Sequence, residues 1–272
     1  FTLIEFSFSK IFYGFPWITS SLILSNNIFL LNLVKYQGTL FSSYVLIQLF
    51  CLPYYLFFNK KNKIIIFYFL ITCVLPLSFS IFFNLNLNNK VSNSNDLINF
   101  EIHQMNIPVI QNKSEKEKTL NEIYKKIYKS NSDLLIFSEN NFSFLISDIN
   151  FSKIQEILDT NQTVIIGGTR IEKNKYYNSL FSISKTDIKI FDKQILVPFG
   201  EFLPFRKYLS FLIPISGNND FTPGLKTRSI QINDSINFIP IICYEIIFYW
   251  KLINNQNHND NLIINITNDI WF

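Results

Sequence analysis

The chain has 272 residues, 48% of them hydrophobic and 16% charged, with 30 Phe, 13 Tyr and a formal charge of +4. That length permits one large core, or a membrane part followed by a domain of ordinary size. The lysines are scattered through Asn-rich segments instead of forming a stripe with interleaved aromatics, which argues against nucleic acid as a partner. The three cysteines make no disulfide framework: Cys51 and Cys73 lie in apolar runs, which leaves Cys243 alone in the rest of the chain. Residue 1 is Phe and the last residues are NDIWF, so both ends read as cut.

From the start of the chain, residues 1–83 read as a partial transmembrane region. Residues 39–58 (TLFSSYVLIQLFCLPYYLFF) and 64–83 (IIIFYFLITCVLPLSFSIFF) are free of charge, and each is long enough to cross a hydrocarbon core of ~30 Å as a helix. A pair of fully buried helices in a large soluble protein is the alternative. A further span is expected near 11–34, where Gly14, Pro16 and Asn26–Asn27 make a poorer helix. The short basic loop NKKNK at 59–63 is expected in the cytoplasm, which puts everything after the last span in the periplasm of a bacterial inner membrane. Residues 84–96, polar and Asn-rich, read as a linker.

Residues 97–272 alternate strand and helix patterns, the mark of a layered α/β domain. LINFEIHQM reads as a strand, and 113–130 as an amphipathic helix with Leu120, Ile123, Tyr124, Ile127 and Tyr128 on its apolar side. DLLIFSE is a short buried strand, FSKIQEIL at 151–158 a helix, and TVIIGGTR a strand ending in glycines, with Gly167–Gly168 as a tight turn. YYNSLFSIS and KIFDKQILV suit a hairpin or meander. INFIPIIC and NLIINITN are two more strands, with a helical stretch from Tyr244 between them. Pro240 marks its strand as irregular or near an edge.

The chemistry-bearing residues stand where apolar strands stop. Glu139 closes DLLIFSE, and Glu is seldom buried without a partner; a solvent-facing residue past a strand end is the bland alternative. Lys193 lies in IKIFDKQILV, where an exposed strand lysine would be equally ordinary. Glu201 sits in PFGEFLPF, a turn dense in Pro and aromatics, where a charge calls for a partner. Cys243 ends FIPIIC and is followed by Tyr244 and Glu245. A thiol reacts as thiolate and needs a base or a nearby cation. Glu139 could take its proton, and Lys193 could stabilise the thiolate and a tetrahedral oxyanion. The two histidines, His103 and His258, read as surface residues. No metal-ligand spacing and no phosphate loop is present, so neither metal nor cofactor is expected.

DLLIFSE, YYNSLF, FDKQILVPFGEFLPF, FTPG, IICYEIIF and NITNDIWF, in that order, resemble the apolipoprotein N-acyltransferases, the membrane-anchored branch of the nitrilase, or carbon–nitrogen hydrolase, superfamily. GFPW at 14–17 and the apolar spans extend the likeness to essentially the whole chain. The resemblance implies an αββα sandwich preceded by transmembrane helices. It also implies a catalytic Glu139, Lys193 and Cys243, supported by Glu201, Tyr244 and Glu245. The implied reaction transfers a fatty acyl group from a membrane phospholipid, through a Cys243 thioester, to the α-amine of a diacylglyceryl-cysteine on an apolipoprotein. No obligate protein partner is inferred. An amidase that uses water as acceptor, or a membrane-tethered binding scaffold, are the alternatives; two apolar spans speak against the first, and retention of all three residues against the second.

Overall fold

The computed structural model describes residues 1–11, 14, 19–58, 63–87, 98–107, 112–139, 148–209, 219–248, 251 and 260–268. The basic loop at 59–62, most of the linker 84–96, His258 and the aromatic part of GFPW lie outside them. The chain divides into two compact units, residues 1–95 and 96–272.

The first unit is helical. α1 (Thr2–Phe8) is followed by a 3₁₀ turn (Ser20–Asn26), whose Ser20 backbone N–H and hydroxyl both donate to the Glu5 carboxylate. α2 (Ile28–Phe58) is interrupted at Gly38, where φ is 78° and a side chain would be strained. α3 (Lys63–Phe69) and α4 (Leu75–Leu87) are joined by a π-helical turn at Leu70–Val74. That turn lies just before Pro76, whose ring displaces the regular ladder and whose carbonyl accepts from the Gln37 amide. Among the described residues no helix is long and apolar enough to cross a membrane. The expected crossings near 11–34, 39–58 and 64–83 are therefore not confirmed: the first is divided between a 3₁₀ turn and the start of α2, the second lies within α2 beyond the Gly38 kink, and the third carries the π turn. The helices bury Leu24, Leu33, Val45, Leu46 and Cys73 against one another and leave Phe50, Phe57, Ile64, Phe67 and Phe82 exposed.

The second unit is α/β, with two sheets. The larger has five strands in the order β1 (Phe100–His103), β2 (Leu134–Phe137), β3 (Thr163–Glu172), β4 (Lys175–Ser184), β5 (Ile188–Asp192). The first three are parallel, and β4 and β5 return antiparallel, as a meander. Gly167 and Gly168 are not a turn: β3 runs through them, paired with Leu180 and Ser179. The reversal comes at Lys173–Asn174, both at positive φ, as a two-residue hairpin loop requires. The smaller sheet has β6 (Ile230–Gln231), β7 (Asn237–Ile242) and β8 (Leu262–Ile266), with β7 in the middle and parallel to β8. β6 pairs only with Asn237 and Phe238, so at Pro240 that side of β7 has no strand to supply with an N–H, and the Pro240 carbonyl goes instead to Arg228.

Side-chain alternation sorts the layers. Leu135, Phe137, Val164, Ile166, Phe181 and Ile183 face α5 (Lys113–Lys129) and α6 (Asp148–Ile157), which contribute Ile123, Tyr124, Ile127 and Ile154 to that core. α5 starts at a capping box between Asn112 and Glu115. Tyr128, expected on its apolar side, is 78% exposed, because five apolar positions span more of the helix than one sheet can cover. Leu134, Ile165, Leu180 and Phe191 face the other way and pack on Phe238, Ile242, Ile264 and Ile266 of the smaller sheet. The described residues thus form an α–β–β stack, and the stretch after β7, expected to be helical, begins as a 3₁₀ turn at Cys243–Phe248 and is α-helical at Lys251.

Gly224 fixes the end of β5. Its N–H donates to the Lys193 carbonyl at 2.8 Å, and a Cβ there would meet the Asp192 carbonyl oxygen at 2.3 Å. Gly224→Ala is expected to destabilise the fold by about 1–3 kcal/mol, since backbone on both sides must move. Gly200→Ala, whose Cβ would meet only the Val197 side chain at 3.1 Å, is expected to cost clearly less. Urea unfolding of the two variants side by side checks the ordering.

Candidate active site

The two sheets bring four strand ends together. Phe191 points into the space between the sheets, so Lys193, two residues on, points the same way; Leu180 does likewise, and so Asn178 two residues before it. The Lys193 N–H donates to the Asn178 carbonyl at 2.8 Å, which sets the two side chains next to each other. Glu139 follows β2 and Cys243 follows β7. Lys193 is 1% exposed and Glu139 6%. A buried ammonium must be paired to remain charged, and this one is. Its Nζ donates to Glu201 Oε1 at 2.9 Å and lies 3.7 Å from Glu139 Oε1. The Asn178 amide uses its two N–H bonds on the same two oxygens, each at 2.8 Å. Turned the other way, the amide would set its oxygen against two carboxylates, so its orientation is dictated. Asn178 Oδ1 is buried without a hydrogen-bond partner among the described residues.

Glu201, the charge expected to need a partner, therefore holds Lys193. It is itself held by its own turn, where Oε2 accepts from the Val197 N–H at 2.9 Å and the Glu201 N–H donates to the Val197 carbonyl at 2.8 Å. Burial pulls the Lys193 pKa down, but Glu201, Glu139 and Cys243 outweigh it and carry the value above that of an ordinary lysine. The side chain is a permanent cation.

Cys243 begins a turn with φ of 52°, a strained conformation for a residue with a Cβ, at the point where β7 gives way to the 3₁₀ turn. The sharp turn presents the sulfur at the end of the strand. Parallel pairing of Ile242 with Ile266 puts Thr267 beside it, and the Thr267 hydroxyl hydrogen-bonds the thiol. Burial pushes the Cys243 thiol up, and the Glu139 carboxylate adds to this; Lys193 and Thr267 oppose it, and the outcome is about 11. The resting side chain is thus a protonated thiol facing a carboxylate, an arrangement that needs a base to become nucleophilic. Tyr244 is buried against Phe248, ring centroids 5.0 Å apart, and burial raises its pKa to about 12.

Glu245 is fully buried. Its carboxylate accepts from the backbone N–H groups of Ile242, Gln194 and Ile195 at 3.0, 2.8 and 3.0 Å, and from both ends of the Arg228 guanidinium. On the opposite face of β5, Asp192 accepts from Arg170 and from the Ser179 hydroxyl. The structure thus brings Glu139, Lys193, Glu201 and Cys243 into one cluster and sets Tyr244 and Glu245 behind it; His103 lies apart, against Glu101. Sequence reasoning passed over Asn178, Arg228 and Thr267. Asn178 alone left a signal, a polar amide at an inward position of an apolar strand.

Reactivity should follow the thiol's environment. Iodoacetamide labelling of Cys243 is expected to rise about tenfold per pH unit through neutrality and to level only near pH 11. Glu139→Gln removes a charge that opposes ionisation and should lower the midpoint, whereas Lys193→Met should raise it. Folding has the same sign: the thiol's contribution is full below its unfolded value of about 8.5 and is lost as pH rises through about 11. A wild-type midpoint near 8.5, or variants that move together, would contradict this geometry.

No family model matches the chain. Curated relatives do. An apolipoprotein N-acyltransferase of Rhizobium leguminosarum bv. trifolii is 33% identical over 155 residues, 52% of this chain and 28% of the relative. One from Brucella suis biovar 1 is 31% identical over 159 residues, 53% of this chain and 29% of the relative. That of Campylobacter jejuni is 29% identical over 235 residues, 84% of this chain and 49% of the relative. The chain spans at most about half the length of these relatives. Among solved structures, an amidase from Neterenkonia sp. AN1 aligns at 12% identity and TM-score 0.46, over 63% of this chain and 67% of its own. A branch 10 nitrilase-superfamily member from Saccharomyces cerevisiae aligns at 14% identity and TM-score 0.41, over 56% and 59%.

Proposed function

We propose that this chain, a relative of the apolipoprotein N-acyltransferases, carries the acyl-transfer site of such an enzyme on a nitrilase-like αββα domain. The observation that supports it is the convergence of a buried carboxylate, a buried ammonium and a protonated thiol on one point. In the first half-reaction Glu139 takes the thiol proton as Cys243 Sγ attacks the ester carbonyl of a phospholipid. Lys193 stabilises the oxyanion that forms. As the carbon–oxygen bond breaks, Glu139 returns the proton to the departing lysophospholipid hydroxyl, and the acyl group remains as a thioester. In the second, the free α-amine of a diacylglyceryl-cysteine attacks that thioester, Glu139 takes the amine proton, and the thiolate leaves and is reprotonated. One carboxylate acts as base and then as acid in each half.

The cluster's charge favours such an acceptor. Glu139 and Glu201 against Lys193 leave one net negative charge, which draws the α-amine as its ammonium; it loses one proton to solvent before attack, and Glu139 takes the second as the amide forms. Both proposed substrates are lipid-anchored, so a protein held at a membrane meets them at high local concentration. The exposed Phe50, Phe57, Ile64, Phe67 and Phe82 of the first unit supply an apolar surface for that attachment. Placement at the periplasmic face of a bacterial inner membrane, expected from the basic loop at 59–63, belongs to the same proposal.

Full-length protein incubated with phospholipid vesicles is expected to gain one fatty acyl mass on Cys243. Neutral hydroxylamine should remove it, Cys243→Ala should never acquire it, and a diacylglyceryl-cysteine peptide should discharge it with amide formation. Amide formation on the peptide without any adduct on Cys243 would refute the thioester route. Discharge to free fatty acid alone, with the peptide unmodified, would favour water as acceptor.

A further inference from the structure

Arg228 lies outside the reacting cluster, yet it is 3% exposed and contacts both the strand and turn that carry Cys243 and the strand that delivers Lys193. Its Nη2 donates to Glu245 Oε1 at 2.7 Å and its Nη1 to Glu245 Oε2 at 3.0 Å, a bidentate pair. Nη1 also donates to the Pro240 carbonyl at 2.8 Å, within the strand that ends at Cys243. Nη2 also donates to Gln194 Oε1 at 3.1 Å, on the residue after Lys193. The guanidinium lies over the Phe191 ring, 4.7 Å from its centroid, on the strand that delivers Lys193. Glu245 completes the linkage: it accepts from Ile242 N–H, immediately before the nucleophile, and from Gln194 and Ile195 N–H, immediately after the lysine.

We infer that Arg228 is a positioning residue for the proposed acyl transfer: with Glu245 it forms a charge-neutral clamp that ties the Cys243 turn of the smaller sheet to the Lys193 strand of the larger. The inference rests on the reading of Cys243 as the acylated residue. Two physical consequences follow from the contacts. Cys243 has a strained φ of 52°, and a turn of that kind persists only when its surroundings over-determine it. The Ile242 N–H, Pro240 carbonyl and Glu245 carboxylate are the groups that do so, and Arg228 joins two of them. Glu245 is also a buried carboxylate close behind a thiol that is already hard to ionise. Without its guanidinium it would add a second uncompensated negative charge to that of Glu139. The four N–H donors of the two terminal nitrogens carry this; a lysine ammonium can neutralise the charge but cannot hold the carboxylate, Pro240 and Gln194 together.

The test uses full-length protein and three variants, Arg228→Lys, Arg228→Met and the charge-neutral double variant Arg228→Met/Glu245→Gln. Two readouts are followed: formation of the Cys243 acyl adduct over a range of phospholipid concentrations, and iodoacetamide labelling of Cys243 as a function of pH. Arg228→Lys is expected to fold, to form the adduct about tenfold more slowly with the phospholipid concentration for half-maximal rate unchanged, and to keep the wild-type labelling midpoint within a few tenths of a pH unit. Arg228→Met should lose about a hundredfold or more in adduct rate and shift the labelling midpoint upward. The double variant should bring the midpoint back while leaving the rate low, which separates charge from geometry. Should Arg228→Met not fold, the lysine and double variants decide the matter. The clamp is overturned if folded Arg228→Lys acylates at the wild-type rate, or if the slow rate comes entirely from a weaker phospholipid affinity. If wild-type protein forms no acyl adduct while the labelling midpoints still move as described, the acyl-transfer reading falls and the clamp stands.

Discussion

A lysine ammonium buried between two sheets is the constraint on which the second unit is built. Moved alone from water into such a place, it would lose its proton or unfold its surroundings. Here it is held by Glu201 at 2.9 Å and Glu139 at 3.7 Å, and both carboxylates share the amide of Asn178. The four side chains form one object. Removing a carboxylate would leave the ammonium short of charge, and removing the ammonium would leave two carboxylates facing each other across an amide. Burial of this kind contributes little net stability against an apolar replacement. What it provides is a fixed cation of defined position, next to a sulfur that becomes negative in the proposed acyl transfer.

The surroundings are arranged to keep that position fixed. Glu201 is locked into its own turn through Val197, Gly224 presses on the Asp192–Lys193 backbone, and Arg170 and Ser179 hold Asp192 from the opposite face of β5. Cys243 arrives from the other sheet, so its distance from the lysine depends on inter-sheet packing. Leu180 and Phe191 on one side and Phe238 and Ile242 on the other set that spacing. Apolar packing is not directional, however, and a shift of half an ångström costs it little. The hydrogen bonds of Glu245 to residues on both sheets supply the direction that packing lacks.

Much of this was legible in the sequence, for identifiable reasons. Apolar runs of four to six residues with polar interruptions marked the strands, and an apolar 3.6-residue period marked α5. Glu139, Lys193 and Cys243 stood out because charge or thiol followed directly on apolar strands. Local pattern is blind to what faces what across two sheets. Arg228 looks like any basic residue in LKTRS, and only the chain's return through β7 sets it against Glu245. Thr267 becomes a neighbour of Cys243 through the parallel register of β7 and β8, which no local signal fixes. The glycine pair failed for the opposite reason: Gly167–Gly168 has the composition of a turn, but full pairing with β4 on one side overrides that preference. In the first unit, absence of charge predicts apolar helices but not their kinks, which Gly38 and the π turn before Pro76 introduce.

Under the proposed acyl transfer, the raised thiol pKa has a consequence for which acceptor completes the reaction. An enzyme that stored Cys243 as a thiolate would gain a fast first attack, but its leaving group in the second step would be a good one for any nucleophile, water included. With the thiol pushed up to about 11, the thiolate is a poorer leaving group and the thioester correspondingly less reactive. Expulsion then depends on the cation of Lys193 and on an acceptor whose proton Glu139 can remove. An amine is both a stronger nucleophile than water and drawn as its ammonium by the cluster's net negative charge. One electrostatic setting, a buried thiol facing a carboxylate with a fixed ammonium behind, therefore suits transfer to an amine better than hydrolysis.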